Sequence, residues 1–172
     1  MTRAAWGSLI FFLIAPGVVA GVVPWAITRY EDPADLPVAL PGLVVVAIGF
    51  ATLVACFVQF VREGRGTPAP IAPTEKLVVG GLYRWVRNPM YIAVGMIILG
   101  QAVTFTSLGV LAWFGVFAAA VVSFVTLYEQ PTLRSRYGQS YDAYCRAVPA
   151  WWPRLTPWDG ASGASAATGS DR

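Results

Sequence analysis

The sequence predicts an all-α integral membrane protein with four transmembrane helices. Three observations carry that reading. The first is composition: of 172 residues, 56% are hydrophobic and 12% charged, where a soluble domain carries about 25% charge. Mean hydropathy is +0.60. The second is the occurrence of uncharged stretches long enough to span a bilayer, at 4–28, 36–61 and 88–128. The third is the sorting of the few charges between them. Arg62, Arg65, Lys76, Arg84 and Arg87 outnumber Glu63 and Glu75 in one segment. Arg134, Arg136, Arg146, Arg154 and Arg172 crowd the region after Tyr128, whereas Glu31, Asp32 and Asp35 outweigh Arg29 in the segment 29–41. The positive-inside rule puts the basic segments in the cytoplasm and the acidic one outside. Arg3 puts the N-terminus inside, so both termini are cytoplasmic and the chain is multi-pass.

The elements follow in order. The first crossing is expected at about 6–28. Its apolar run is too long for the core of a signal peptide and no clear cleavage signature ends it, so a retained helix is preferred. Pro16 and Pro24 are expected to kink it. The second crossing is expected at 40–61. A cytoplasmic loop follows over 62–88, where the Gly- and Pro-rich stretch from Arg62 to Pro73 breaks any helix. Asn88 is a plausible N-cap and Pro89 a good first-turn residue, which starts a third helix over 89–104. A turn at Thr104–Gly109 leads to a fourth helix over 108–128.

The 41 residues between Arg87 and Glu129 carry no charge. As one helix they would reach roughly 60 Å, about twice the bilayer core. The run must therefore cross, turn and cross back, which returns Glu129 to the face where Arg87 started. Beyond Glu129, Leu133, Tyr137, Tyr141, Tyr144 and Val148 recur at helical spacing, so 131–147 reads as an amphipathic surface helix. Trp151 and Trp152 suit an interfacial anchor. Residues 1–158 form a single domain, and 159–172 are expected to be a disordered tail.

The composition also excludes. There is no histidine, which removes the commonest general base and metal ligand. Cys56 lies in an apolar run and Cys145 in a charged segment, so neither a disulfide nor a metal site is expected. No nucleic acid partner is expected; the bilayer is. Taken singly, the candidate residues decide little. Glu129 at a helix end reads equally well as a solvated carboxylate. Positive-inside topology alone accounts for Arg87. Tyr83, Trp85 and Tyr91 fit interfacial anchors, and the tyrosine stripe fits packing.

Together they form a pattern. Gly81-Leu82-Tyr83-Arg84-Trp85-Val86-Arg87-Asn88-Pro89-Met90-Tyr91 is followed by Tyr128-Glu129-Gln130-Pro131. Then come Tyr137-Gly138-Gln139-Ser140-Tyr141-Asp142-Ala143-Tyr144 and Val148-Pro149. In order and spacing this resembles the isoprenylcysteine carboxyl methyltransferase family and the related phospholipid amine methyltransferases, over about residues 65–155. The resemblance implies an S-adenosylmethionine pocket on the cytoplasmic side, roofed by the loop and the C-terminal segments, and a lipophilic acceptor entering from the bilayer. It implies cofactor contacts at Glu75, Lys76, Leu77, Val78, Tyr83, Asn88, Pro89, Met90, Tyr91 and Glu129. Glu129 and, in second rank, Arg87 are the catalytic candidates. These types suit the ligand. Leu77, Val78 and Tyr83 would wall the adenine, and backbone N–H groups near Asn88 and Pro89 suit a carboxylate. Aromatic faces and Glu129 suit a sulfonium. Methyl transfer from an activated donor needs alignment and exclusion of water more than a strong base.

Three positions depart from the family pattern. Asn88 stands where it has histidine. Gln130 replaces the second of an acidic pair. Val125 stands where eukaryotic members carry an arginine suited to a prenylcysteine carboxylate, so a neutral or amine-bearing lipophile fits at least as well. Two other readings remain: a membrane reductase using NADPH on a similar C-terminal core, and a membrane scaffold or sensor without turnover.

Overall fold

A computed structural model describes residues 14–63 and 77–159 of the chain. The start of the first predicted helix, most of the predicted loop with Glu75 and Lys76, and the predicted tail from 160 lie outside the described residues. All regular structure among the described residues is helical. Helix α1 spans Ile14–Thr28, α2 spans Leu36–Glu63 and α3 spans Pro89–Thr104. Helix α4 runs unbroken over Leu108–Tyr137, and α5 covers Gln139–Ala147. By length and composition, α2 and α4 can each cross a bilayer. Their outward residues are apolar: Leu40, Leu43 and Phe50 on α2, and Leu111, Val116 and Leu127 on α4 are exposed. A water-soluble surface would not carry so continuous an apolar face.

The most extensive helix pairing joins α2 to α3. It is close because glycine occupies the crossing on both sides. A Cβ on Gly42 would stand 2.6 Å from the Gly100 carbonyl oxygen, and one on Gly100 would stand 2.7 Å from the Gly42 carbonyl oxygen. One turn pair further along, a Cβ on Gly49 would stand 2.9 Å from the Ala93 carbonyl oxygen. Small residues let two membrane helices approach backbone to backbone, where dispersion replaces the missing hydrophobic drive. Leu53, Ala93, Val94, Ile97 and Ile98 fill the core beside this seam, with Val110 and Phe114 of α4 packed on it.

Prolines shape two of the helices. Helix α1 widens to a π turn over Val18–Val22, ending two residues before Pro24. Helix α4 widens to a π turn over Val125–Glu129, ending two residues before Pro131. The cause is common to both. A proline inside a helix has no N–H and its ring clashes with the carbonyl four residues back; a π turn moves that carbonyl aside. In α1 the displaced carbonyl is Ala20, which accepts from Gln101 Nε2 at 2.7 Å. Its neighbour Val19 accepts from Trp113 Nε1 at 2.9 Å. A membrane helix tolerates proline when neighbours satisfy the freed groups in this way.

Several boundaries differ from expectation. Helix α2 begins at Leu36 and contains Pro41 rather than starting at 40. The stretch expected as one surface helix over 131–147 is divided. Its first half continues α4 to Tyr137, and Gly138, at φ 51°, breaks it from α5. A residue with a side chain is strained at that φ, and glycine is not. Across the break, Arg134 Nε and Asp142 Oδ1 pair at 2.8 Å, and the apolar stripe still packs as one cluster of Leu133, Tyr137, Tyr141, Tyr144 and Val148.

The glycine seam is testable. Gly100→Val, with its Cβ driven onto α2 backbone, should lower stability in detergent by about 1–3 kcal/mol, the usual cost of overpacking. Gly115→Ala, where nothing lies within 4 Å of the new Cβ, should unfold as the unaltered chain does.

Candidate functional site

The site is assembled from three segments at one end of the bundle. The first is the connection Leu77–Asn88. It holds a single 3-10 turn, Gly81–Arg84. Val78 and Tyr83 are buried there against Cys56 of α2. Leu77 and Val79 face the other way, onto the Tyr141 and Tyr144 cluster of α5. Neighbouring residues of this irregular segment are therefore sent to two different cores. Burial pushes the Tyr83 phenol well above its ordinary value, so it stays neutral.

The second segment is the C-terminal strap, Val148–Asp159. It lies along the connection through backbone bonds. Arg87 N donates to Pro149 O at 2.9 Å, Arg154 N to Trp85 O at 2.9 Å, and Trp158 N to Arg84 O at 3.0 Å. Arg84 Nε donates to Trp158 O at 2.6 Å, and its guanidinium pairs with Asp159. Helix α5 is tied to the same connection by Tyr144 Oη, which donates to Tyr83 O at 2.7 Å.

Asn88 and Arg87 have clear places in this arrangement. Asn88 is buried and occupies the N-cap position of α3, but its side chain makes no capping bond. Its Nδ2 donates instead to Ala150 O at 3.2 Å. The expected cap is thus corrected: strap binding takes the amide. Arg87 turns to α5, where Nη1 donates to Cys145 Sγ at 2.8 Å. Its Nε is enclosed without a hydrogen-bond partner.

The third segment is the π turn of α4, and it decides where Glu129 points. Val110, Phe114 and Phe117 face the core. At about 100° per residue, a regular helix would carry that inward face on to Tyr128. A π turn takes one residue more, so each later position lags by about one residue's rotation. Tyr128 is accordingly 52% exposed and Val125 2% exposed, while Glu129 is turned in. Glu129 Oε2 accepts from Tyr91 Oη at 2.9 Å. Residues 38 apart in sequence meet here, as the uncharged hairpin requires.

The electrostatics are lopsided. Among the described residues the ion pairs are Arg84–Asp159 and Arg134–Asp142; Glu129 belongs to neither. Its described partner is a neutral phenol. A half-buried carboxylate without a cation is costly unless something positive arrives. Next to it, the first turn of α3 leaves the Met90 and Tyr91 N–H groups without an intrahelical acceptor. Pro89 is buried, and Met90 packs against both the bundle core and the Cys56, Val78 and Tyr83 cluster. Val78, Tyr83, Asn88, Pro89, Met90, Tyr91 and Glu129 thus lie at one end of the bundle. Leu77 and Arg87 lie on the α5 side of the connection. Glu75 and Lys76 are outside the described residues, and no group of three or more metal-ligating side chains occurs among those described.

The family model for phospholipid methyltransferase matches residues 38–140. The chain belongs to the phospholipid methyltransferase family. It is therefore read as a methyltransferase of the membrane. The match covers α2 to the start of α5 and includes Tyr91 and Glu129, but neither α1 nor the strap. No match was found among curated proteins or among solved structures.

Two features of the site are not read from residue periodicity, although the resemblance implied that C-terminal segments roof the pocket. One is the strap, whose backbone bonds leave no side-chain periodicity. The other is the π turn, for which a signal did exist: Pro131 inside a continuous apolar helix.

The placement of Asn88 is testable by amide exchange. Asn88→Ala should speed exchange in the strap, at Arg154 and Trp158, and leave the first turn of α3 unchanged. Faster exchange at Tyr91 and Ile92 with a protected strap would restore the capping role.

Proposed function

We propose that this chain transfers a methyl group from S-adenosylmethionine to a lipophilic acceptor, at the cytoplasmic end of a four-helix membrane bundle with both termini in the cytoplasm. The single observation that carries the proposal is Glu129, held by Tyr91 and lacking a described cationic partner. A donor bearing a sulfonium and an ammonium supplies the missing charge. When bound, it also supplies a methyl group already activated for transfer.

The residues then have separable tasks. Glu129 offers negative charge where water is scarce and the interaction is strong. Tyr91 fixes the orientation of that carboxylate. Tyr83 and Val78 wall an aromatic ring. The open N–H groups of Met90 and Tyr91 suit a carboxylate at a helix start. Asn88 and Arg87 act as positioning residues, Asn88 through the strap and Arg87 through α5. Glu75, Lys76 and Leu77 complete the proposed contacts by resemblance. Little acid-base chemistry is required, because the gain comes from alignment and desolvation.

On the acceptor side, buried Val125 provides no charge to hold a carboxylate. A neutral or amine-bearing lipid is the better fit, in keeping with the family's name. NADPH, with several phosphate charges, is disfavoured by an unpaired carboxylate at the centre of the site.

Isothermal titration in detergent tests the assignment. Glu129→Ala should lose about 2–5 kcal/mol of S-adenosylmethionine binding, the usual loss on truncating one member of a buried charge pair. Tyr91→Phe should lose about 1 kcal/mol, one hydrogen bond. NADPH should bind neither variant nor the unaltered chain. Unchanged affinity in a folded Glu129→Ala protein would remove Glu129 from the site. The acceptor class can be read by labelled methyl transfer to extracted lipids.

A further inference from the structure

A second site lies at the opposite end of α3, about 20 Å from Tyr91 at 1.5 Å rise per residue. It is a groove of about 400 Å³ between α1, α2 and α3, with Ala20, Leu43, Val46 and Ile97 as its apolar walls. Three polar side chains also line it: Tyr30, Gln101 and Thr104. Polar groups in an apolar helix bundle are costly unless bonded, so the bonding of these three decides what the groove can still accept.

Their bonding leaves a specific chemistry open. Gln101 Nε2 spends both protons, on Ala20 O at 2.7 Å and Ile97 O at 3.0 Å. Thr104 Oγ1 donates to Gly100 O at 2.9 Å. Tyr30 Oη lies 2.9 Å from Gln101 Oε1 and 3.1 Å from Gly21 O, sharing its one proton between them. Every donor is used. What remains at the groove is lone pairs, on Gln101 Oε1 and Tyr30 Oη, while Thr104 Oγ1 is enclosed against Gly42 in the helix seam. A ligand here must bring its own protons.

Charge and backbone point the same way. Tyr30 is followed by exposed Glu31, Asp32 and Asp35, against Arg29, whose guanidinium lies 4.8 Å from the Trp25 ring centroid. The non-glycine residues with positive φ among the described residues all sit at this end: Arg29, Tyr30, Asp32 and Thr106. Such strain persists where surrounding structure enforces it, often at binding sites. Here it holds Tyr30 over the groove, stacked on Phe105 at 5.5 Å. The π turn of α1 opens onto the same place, and π turns recur at functional sites.

We infer that this groove binds a single-chain amphiphile with a protonated amine head: the alkyl chain lies along Leu43, Val46 and Ile97, and the ammonium donates to Tyr30 and Gln101. The site stands apart from the proposed methyl transfer, and its failure would leave that proposal untouched.

The test uses the full chain in lipid nanodiscs and a dodecylamine carrying a diazirine in its chain. After irradiation, peptide mapping should find the label on the 43–46 and 97–104 stretches. Unlabelled dodecylamine should compete about tenfold better than dodecanol or dodecanoate, the factor for one charge-assisted hydrogen bond. Tyr30→Phe keeps the ring stack, removes one of the two acceptors and should lower that preference. Leu43→Trp, at an exposed wall position, should block labelling. Equal competition by the three compounds, or absence of label from these two stretches, would overturn the inference. So would a preference undiminished in Tyr30→Phe. Label near Glu129 would report the proposed acceptor site and leaves the groove to be judged by its own two stretches.

Discussion

Two of the prolines placed inside apolar helices, Pro24 and Pro131, organise much of this molecule. Water cannot satisfy a carbonyl displaced within a bilayer, so the chain must. At Pro24 the answer is a widened turn whose carbonyls are taken by Gln101 and Trp113. That ties α1 to α3 and α4. At Pro131 the widened turn rotates the helix beyond it. The result there is not a tie but an orientation: Tyr128 goes out to the surface and Glu129 comes in to Tyr91. One covalent constraint thus has two structural consequences, one at each end of the bundle.

The glycine seam between α2 and α3 is the complement of these constraints. Gly42, Gly49 and Gly100 allow backbone contact, and that contact fixes the helix carrying Tyr91. A rigid α3 and a widened α4 then bring a phenol and a carboxylate together. The strap closes the same end by bonding to Arg84, Trp85, Arg87 and Asn88. The site therefore draws on elements whose stability comes from different sources: dispersion in the seam, backbone hydrogen bonds in the strap, and aromatic packing around Tyr144.

Much of this is legible in the sequence. The charge gap from Arg87 to Glu129 implies the hairpin, and the hairpin implies that Glu129 returns to the face where Arg87 started, because length and bilayer thickness leave little choice; the partner found there is Tyr91, while Arg87 turns to Cys145 of α5. The spacing of Leu133, Tyr137, Tyr141, Tyr144 and Val148 marks a packed face. Other features were not legible. Asn88 reads as a cap because asparagine caps often, yet its amide is claimed by a carbonyl 62 residues away. Gly138 reads as tolerable within an amphipathic helix until its positive φ is seen. The direction of Glu129 depends on a single residue of helical lag, which hydrophobic periodicity over a short, wholly apolar segment does not encode. The strap is invisible to periodicity because backbone atoms make its bonds.

The central claim is that the register of Glu129, set by the π turn, governs donor binding. It is tested most directly by S-adenosylmethionine affinity in two length variants. Deleting Leu127, which is 78% exposed, together with Pro131→Ala to remove the ring that the widened turn accommodates, lets the turn become regular α-helix while Glu129 keeps its inward face; affinity should stay within about threefold of the unaltered chain, well under the tenfold of 1.4 kcal/mol. Inserting one alanine after Leu127 adds a further rotation of about 100° and should cost at least about 100-fold, the loss of a buried charge contact. Retained binding in the insertion variant, or lost binding in a folded deletion variant, would contradict the account.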